Sequence, residues 1–134
     1  MSARYSRSGR AKPQSGGFDL AVWYLMRLSG VALFVLVLTH YLILHVLHDP
    51  ADQTASWIAE FRWNSLFWRA FDWLMLTLVL FHAFMGMRVV IGDYARGGLR
   101  MALMAGLYLF GFILLVIGTS VVMTLPVDRI VPGA

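Results

Sequence analysis

His82-Ala-Phe-Met-Gly-Met-Arg-Val-Val-Ile-Gly-Asp-Tyr94 closes an apolar run that begins near Leu66 and fades near Ile91. Such a run exceeds the ~20 residues an α-helix needs to cross a bilayer, and a helix satisfies all of its own backbone groups in lipid. The stretch therefore reads as a transmembrane helix with a histidine deep inside it. An ionisable side chain at that depth is costly and is usually kept for function. Neutral imidazole is a common metal ligand, haem iron included. At ~1.5 Å per residue Asp93 lies ~16 Å along the axis from His82, about half a ~30 Å hydrocarbon core. Steps of ~100° return it to nearly the same helix face. Gly86, one turn after the histidine, leaves room for a flat group. The plainer alternative is a histidine satisfied by a neighbouring helix.

Two further runs flank this one, from about Leu20 to Val46 and from about Met101 to Leu125. The 134 residues are 60% hydrophobic and 13% charged, with a mean hydropathy of +0.72. A soluble domain of this size needs far more surface charge. The expected fold is an all-α membrane protein with three transmembrane helices, at about 20–46, 66–91 and 101–125. A flexible basic tail (1–17) precedes them and a short tail (126–134) follows, with Pro126 ending the third helix.

The pI near 10.0 does not point to nucleic acid. Arg4, Arg7, Arg10 and Lys12 stand just before the first run, where positive-inside residues belong. Arg96 and Arg100 mark the Asp93–Arg100 connection in the same way. The N-terminus and that connection are therefore expected in the cytoplasm, and residues 47–65 and the C-terminus outside. The first run is too long for a signal-peptide core and contains Arg27. Absence of cysteine excludes iron–sulfur ligation and disulfides within this chain.

The outer connection carries Trp57, Phe61, Trp63, Phe67, Trp68, Phe71 and Trp73. Aromatics gathered this way read as an interfacial belt, or alternatively as the lining of a ligand pocket. A short surface helix is expected around Asp52–Arg62, with Pro50 near its start. Gly106, Gly111 and Gly118 mark packing faces of the third helix. Asp72, Asp93 and Glu60 are placed at or beyond helix ends, which leaves no intramembrane acid to drive a transporter.

The candidates for chemistry are few. His40 lies toward the outer end of the first helix, deeper than His45 and His48. His40 and His82 differ in depth by a turn or more, so each would need a partner histidine from another chain to grip a metal. Arg27 can snorkel to the headgroups, or pair with a buried anion; Ser29 and Gly30 beside it permit close packing or leave space for a ligand. The Asp93-Tyr94 pair is either an interfacial anchor or a hydrogen-bonding site for a quinone carbonyl, and Arg88 could serve either end. No Walker, Rossmann or His-Glu-x-x-His motif occurs.

Arg27-Leu-Ser-Gly30 followed by His40, then His82-x-x-x-Gly86 and Asp93-Tyr94, resembles a membrane-anchor subunit of succinate dehydrogenase (succinate:quinone oxidoreductase) across roughly Phe18 to Leu125. The likeness is to the smaller, D-type anchor, of the two-haem subclass. It implies half of a larger helical bundle, formed with a second cytochrome b anchor subunit. It further implies that His82 and His40 are axial ligands of two b haems, with His45 the substitute should the register differ. Arg27, with Ser29 beside it, would lie near the haem propionates. Tyr94, next to Asp93 and within reach of Arg88, would hydrogen-bond quinone. A flavoprotein subunit would oxidise succinate and an iron–sulfur subunit would pass the electrons to quinone. The setting implied is a bacterial or archaeal cell membrane, with a higher oligomer of the complex open. Two competing readings are an anchor of fumarate reductase or another dehydrogenase, and a haem-free membrane scaffold.

Overall fold

A computed structural model describes residues 17–124, and every regular element among them is helical. Helix α1 spans Phe18–Tyr41 and continues through a single π-turn, Leu42–Leu47. A 3-10 turn at Pro50–Asp52 and the short α2, Ala55–Trp57, which runs into a π-turn at Ile58–Arg62, form the connection. Helices α3 (Leu66–Tyr94) and α4 (Gly97–Thr124) complete the chain. The three long segments, of 30, 29 and 28 residues, are each long and apolar enough to cross a membrane. At ~1.5 Å per residue each exceeds a ~30 Å hydrocarbon core, so the ends reach the headgroups or the helices tilt. The three-helix membrane architecture expected from the sequence is what the chain adopts.

Only the helix limits differ. Helix α3 runs on through Asp93 and Tyr94, and α4 starts at Gly97 rather than near Met101. The connection shrinks to Ala95 and Arg96, and Arg100 lies in the first turn of α4. Gly92, Asp93 and Gly97 weaken a helix signal in sequence, but a tight hairpin needs the left-handed backbone that Gly97 supplies at φ +57°. The Ala95 amide donates to Ile91 O at 2.9 Å and closes α3. The expected surface helix is present in broken form. Asp49 accepts from the Ala51 amide (2.9 Å) to start the 3-10 turn, and Thr54 Oγ1 accepts from the Trp57 amide (3.2 Å) as the α2 N-cap. The expectations for residues 1–16 and 125–134 fall outside the described residues.

Central α3 packs against both α1 and α4. We call the end that carries Phe18 and the α3–α4 connection the turn end, and the opposite one the loop end. Against α4, two glycines admit side chains of α3. A Cβ on Gly111 would lie 2.9 Å from the Phe84 ring, and one on Gly118 would lie 2.6 Å from Leu76. Gly106 faces open space, so only two of the three expected packing glycines serve α3. The Phe110 ring, next to Gly111 on α4, stands 6.2 Å from the Phe84 ring. Gly111→Ala should therefore cost about 1–3 kcal/mol relative to Gly106→Ala, measured as thermal unfolding of the detergent-solubilised protein.

At the loop end Arg69 spans from α3 to the C-terminus of α4. Its Nη1 donates to Val122 O (3.3 Å) and Met123 O (3.1 Å), while its Nε donates to Trp63 O. Helix-terminal carbonyls lack partners within their own helix, and a cation there also opposes the helix dipole. Trp73 Nε1 adds a bond to Thr119 Oγ1 at 3.1 Å.

Candidate functional site

His82 stands 16 residues into α3, ~24 Å from its start and well inside any bilayer. Its ring packs on the one wall of α1 that a side chain would thicken. His82 Cε1 is 3.4 Å from the place a Cβ of Gly30 would take. Ser29 Oγ lies 3.0 Å from His82 Nδ1 and 3.2 Å from Met26 O. Ser29 is 3% exposed, one of only two buried polar residues in the described region. Of the predicted residues, the fold thus brings Ser29, Gly30 and His82 together. Nε2 of His82 makes no hydrogen bond among the described residues.

Around this point the helices leave apolar space. A groove of about 320 Å³ between α1 and α3 is lined by Leu25, Leu28, Ser29 and Ala32 on one side and Thr77, Leu78 and Phe81 on the other. Beyond His82, a Cβ on Gly86 would meet nothing within 4 Å. A half-buried imidazole with one nitrogen held and the other open, flanked by open glycine surface, fits an axial ligand of a flat macrocycle. No group of three or more metal-ligating side chains occurs among the described residues.

Toward the turn end the other candidates spread apart. Arg27 folds back along α1, with Nη1 donating to Trp23 O (3.1 Å) and the guanidinium 3.5 Å above the Trp23 ring. That is the snorkelling posture, directed at the turn end. Trp23 Nε1 beside it is a buried donor without a hydrogen-bond acceptor among the described residues, which the sequence did not single out. Arg88 lies 5.9 Å from the Phe18 ring. Asp93 and Tyr94 end α3 exposed, Tyr94 at 86%, and neither makes a hydrogen bond or ion pair within the described residues.

The loop end holds a cluster that sequence reasoning missed. Asp72 is not at a helix terminus but inside α3, and its carboxylate accepts from Arg62 Nη2 and, at 3.1 Å, from Trp63 Nε1. Arg62 is 1% exposed, covered by the rings of Trp68 (4.4 Å) and Phe71 (5.5 Å). His40 joins the pair through Nδ1, 3.4 Å from Arg62 Nη2 and 3.6 Å from Asp72 Oδ1. The available signal was a lone acid in an apolar helix, ten residues after an arginine on an amphipathic segment. Asp72 lies ten residues before His82, ~15 Å along α3, so His40 and His82 occupy separate levels. His45 sits exposed in the π-turn with its ring 5.1 Å from that of Tyr41. His48 packs edge-on against Trp57 (5.1 Å) and Phe61 (4.7 Å), which are themselves stacked. The belt aromatics of this connection therefore pack on one another.

Residues 4–122 match the sequence profile of a family described as succinate dehydrogenase/fumarate reductase transmembrane subunit. No curated protein matches the chain.

Proposed function

We propose, on the premise that the chain belongs to the succinate dehydrogenase/fumarate reductase transmembrane subunit family, that it is the D-type cytochrome b anchor of a succinate:quinone oxidoreductase. The observation that carries this reading is His82, held by Ser29 at mid-depth with Nε2 open. His82 would bind haem b, with the second axial histidine on a partner anchor subunit packed against this one. Haem b supplies reversible one-electron chemistry when bound. The chain's own residues do the rest. Gly30 and Gly86 keep the faces beside the imidazole clear. Arg27 would swing from the Trp23 ring to meet the propionates. Tyr94 and Asp93, exposed at the turn end, would meet quinone and the iron–sulfur subunit there, with Arg88 one and a half turns deeper. The positive-inside pattern supports a cytoplasmic turn end, and the cell would be bacterial or archaeal.

His40 would ligate a second haem at the loop end. Its Nδ1 faces Arg62 and Asp72, so Nε2 is the nitrogen turned away from the cluster. According to the tautomer, Nδ1 accepts from Arg62 Nη2 or donates toward the Asp72 carboxylate. Ligation at His40 requires the second arrangement, which leaves the Nε2 lone pair free. The test is to purify whatever accompanies the tagged chain and take a pyridine haemochrome spectrum normalised to complex. Two haems b per complex, with flavin and iron–sulfur subunits present, are expected. One haem would remove His40 from the ligand set and keep His82. Absence of haem would overturn the cytochrome reading and leave a membrane tether.

A further inference from the structure

Ser29 has one hydroxyl proton and two neighbours able to take it, the Met26 carbonyl at 3.2 Å and His82 Nδ1 at 3.0 Å. If the hydroxyl donates to His82, Nδ1 is an acceptor, the ring proton sits on Nε2, and the approach of Met26 O is not a bond. If the hydroxyl donates to Met26 O, Nδ1–H donates to Oγ and both bonds are made. The second arrangement gains one hydrogen bond in a buried setting, which favours it by roughly 2- to 10-fold. A ring has either tautomer according to the bond its other nitrogen makes. The two-bond arrangement leaves the Nε2 lone pair unprotonated.

We propose that Ser29 is the positioning residue of His82: it accepts from Nδ1–H, passes its own proton to Met26 O, and so presents Nε2 as a ready ligand. This rests on the reading that His82 binds haem. Gly30 leaves the ring its place, since a Cβ there would lie 3.4 Å from His82 Cε1. The partner's identity has an electronic consequence. A neutral hydroxyl accepts more weakly than the carboxylate often found behind a metal-bound histidine, so it lends the imidazole modest anionic character. The haem would then have a higher reduction potential than one backed by a carboxylate.

The test uses the purified complex and three readouts: haem retained on dilution, the low-spin ferric signal in electron paramagnetic resonance, and the midpoint potential. Ser29→Ala should weaken haem retention by about 10- to 100-fold, shift the ferric signal and raise the potential. Ser29→Val and Ser29→Thr are nearly isosteric and differ in the hydroxyl, so they isolate it should the alanine variant fail to assemble. Thr should keep the wild-type values and Val should not. Equal behaviour of Val and Thr, or a wild-type potential in Ser29→Ala, would overturn the role of the hydroxyl. Full haem in His82→Ala would instead overturn the ligand assignment on which it rests.

Discussion

His82→Ala is expected to strip the purified complex of the mid-membrane haem proposed for it, while the three helices still insert. The side chain makes one hydrogen bond, to Ser29, and packs on Gly30. Its removal leaves no charge uncompensated, because Ser29 retains Met26 O as an acceptor. The structural loss is thus one hydrogen bond and a small void, about 1–3 kcal/mol. The loss of ligation is complete, since no other described histidine reaches that level: His40 is at the level of Asp72, and His45 and His48 lie beyond it. Haem content per complex, measured alongside recovery of the assembled subunits, separates the two effects. Unchanged haem with intact assembly would remove His82 from the ligand set.

Asp72→Ala should be the more damaging substitution to the protein itself. It leaves the Arg62 guanidinium 1% exposed without the carboxylate that neutralises it. Arg62 Nε and Nη1 already lack hydrogen-bond partners among the described residues, and the faces of Trp68 and Phe71 supply only weak cation–π attraction in place of an anion. Breaking a buried pair by removing one partner typically costs about 3–5 kcal/mol. The His40 ring and the Trp63 indole lose their anchor at the same time. Replacing both charges, as Arg62→Met with Asp72→Leu, should recover most of the loss, since apolar packing often matches a buried pair. Unfolding of the detergent-solubilised protein measures both variants. Wild-type stability of Asp72→Ala would mean that Arg62 finds headgroups or water once released.

The contrast between these residues shows what the sequence made legible. His82, Ser29 and Gly30 were visible because a polar group in an apolar run is conspicuous, and each run is long enough to be a helix by itself. Their meeting across α1 and α3 was not visible, because spacing along one helix says nothing about its rotation against another. Asp72 was placed at a helix end, and Arg62 figured only as the limit of the expected surface helix. Each lies where an apolar run gives way to a polar connection, a place where charges are ordinarily solvated. Only the fold, which sets the π-turn at Ile58–Arg62 against Asp72 and the Trp68 and Phe71 rings, makes them a buried pair. Likewise Asp93 and Tyr94 were located correctly on the chain, yet the short turn at Gly97 extends their helix further than glycine content suggested.

Helices α3 and α4 form a clamped frame. The two-residue connection fixes them at the turn end, and Arg69 on the Val122 and Met123 carbonyls fixes them at the loop end. Two rods pinned at both ends cannot slide past one another, so axial play in this subunit falls to α1. A slip of α1 by one turn, ~5.4 Å, would carry Ser29 out of reach of His82 and His40 out of reach of Asp72 together. Those two contacts work as a vernier: both read true at only one height of α1.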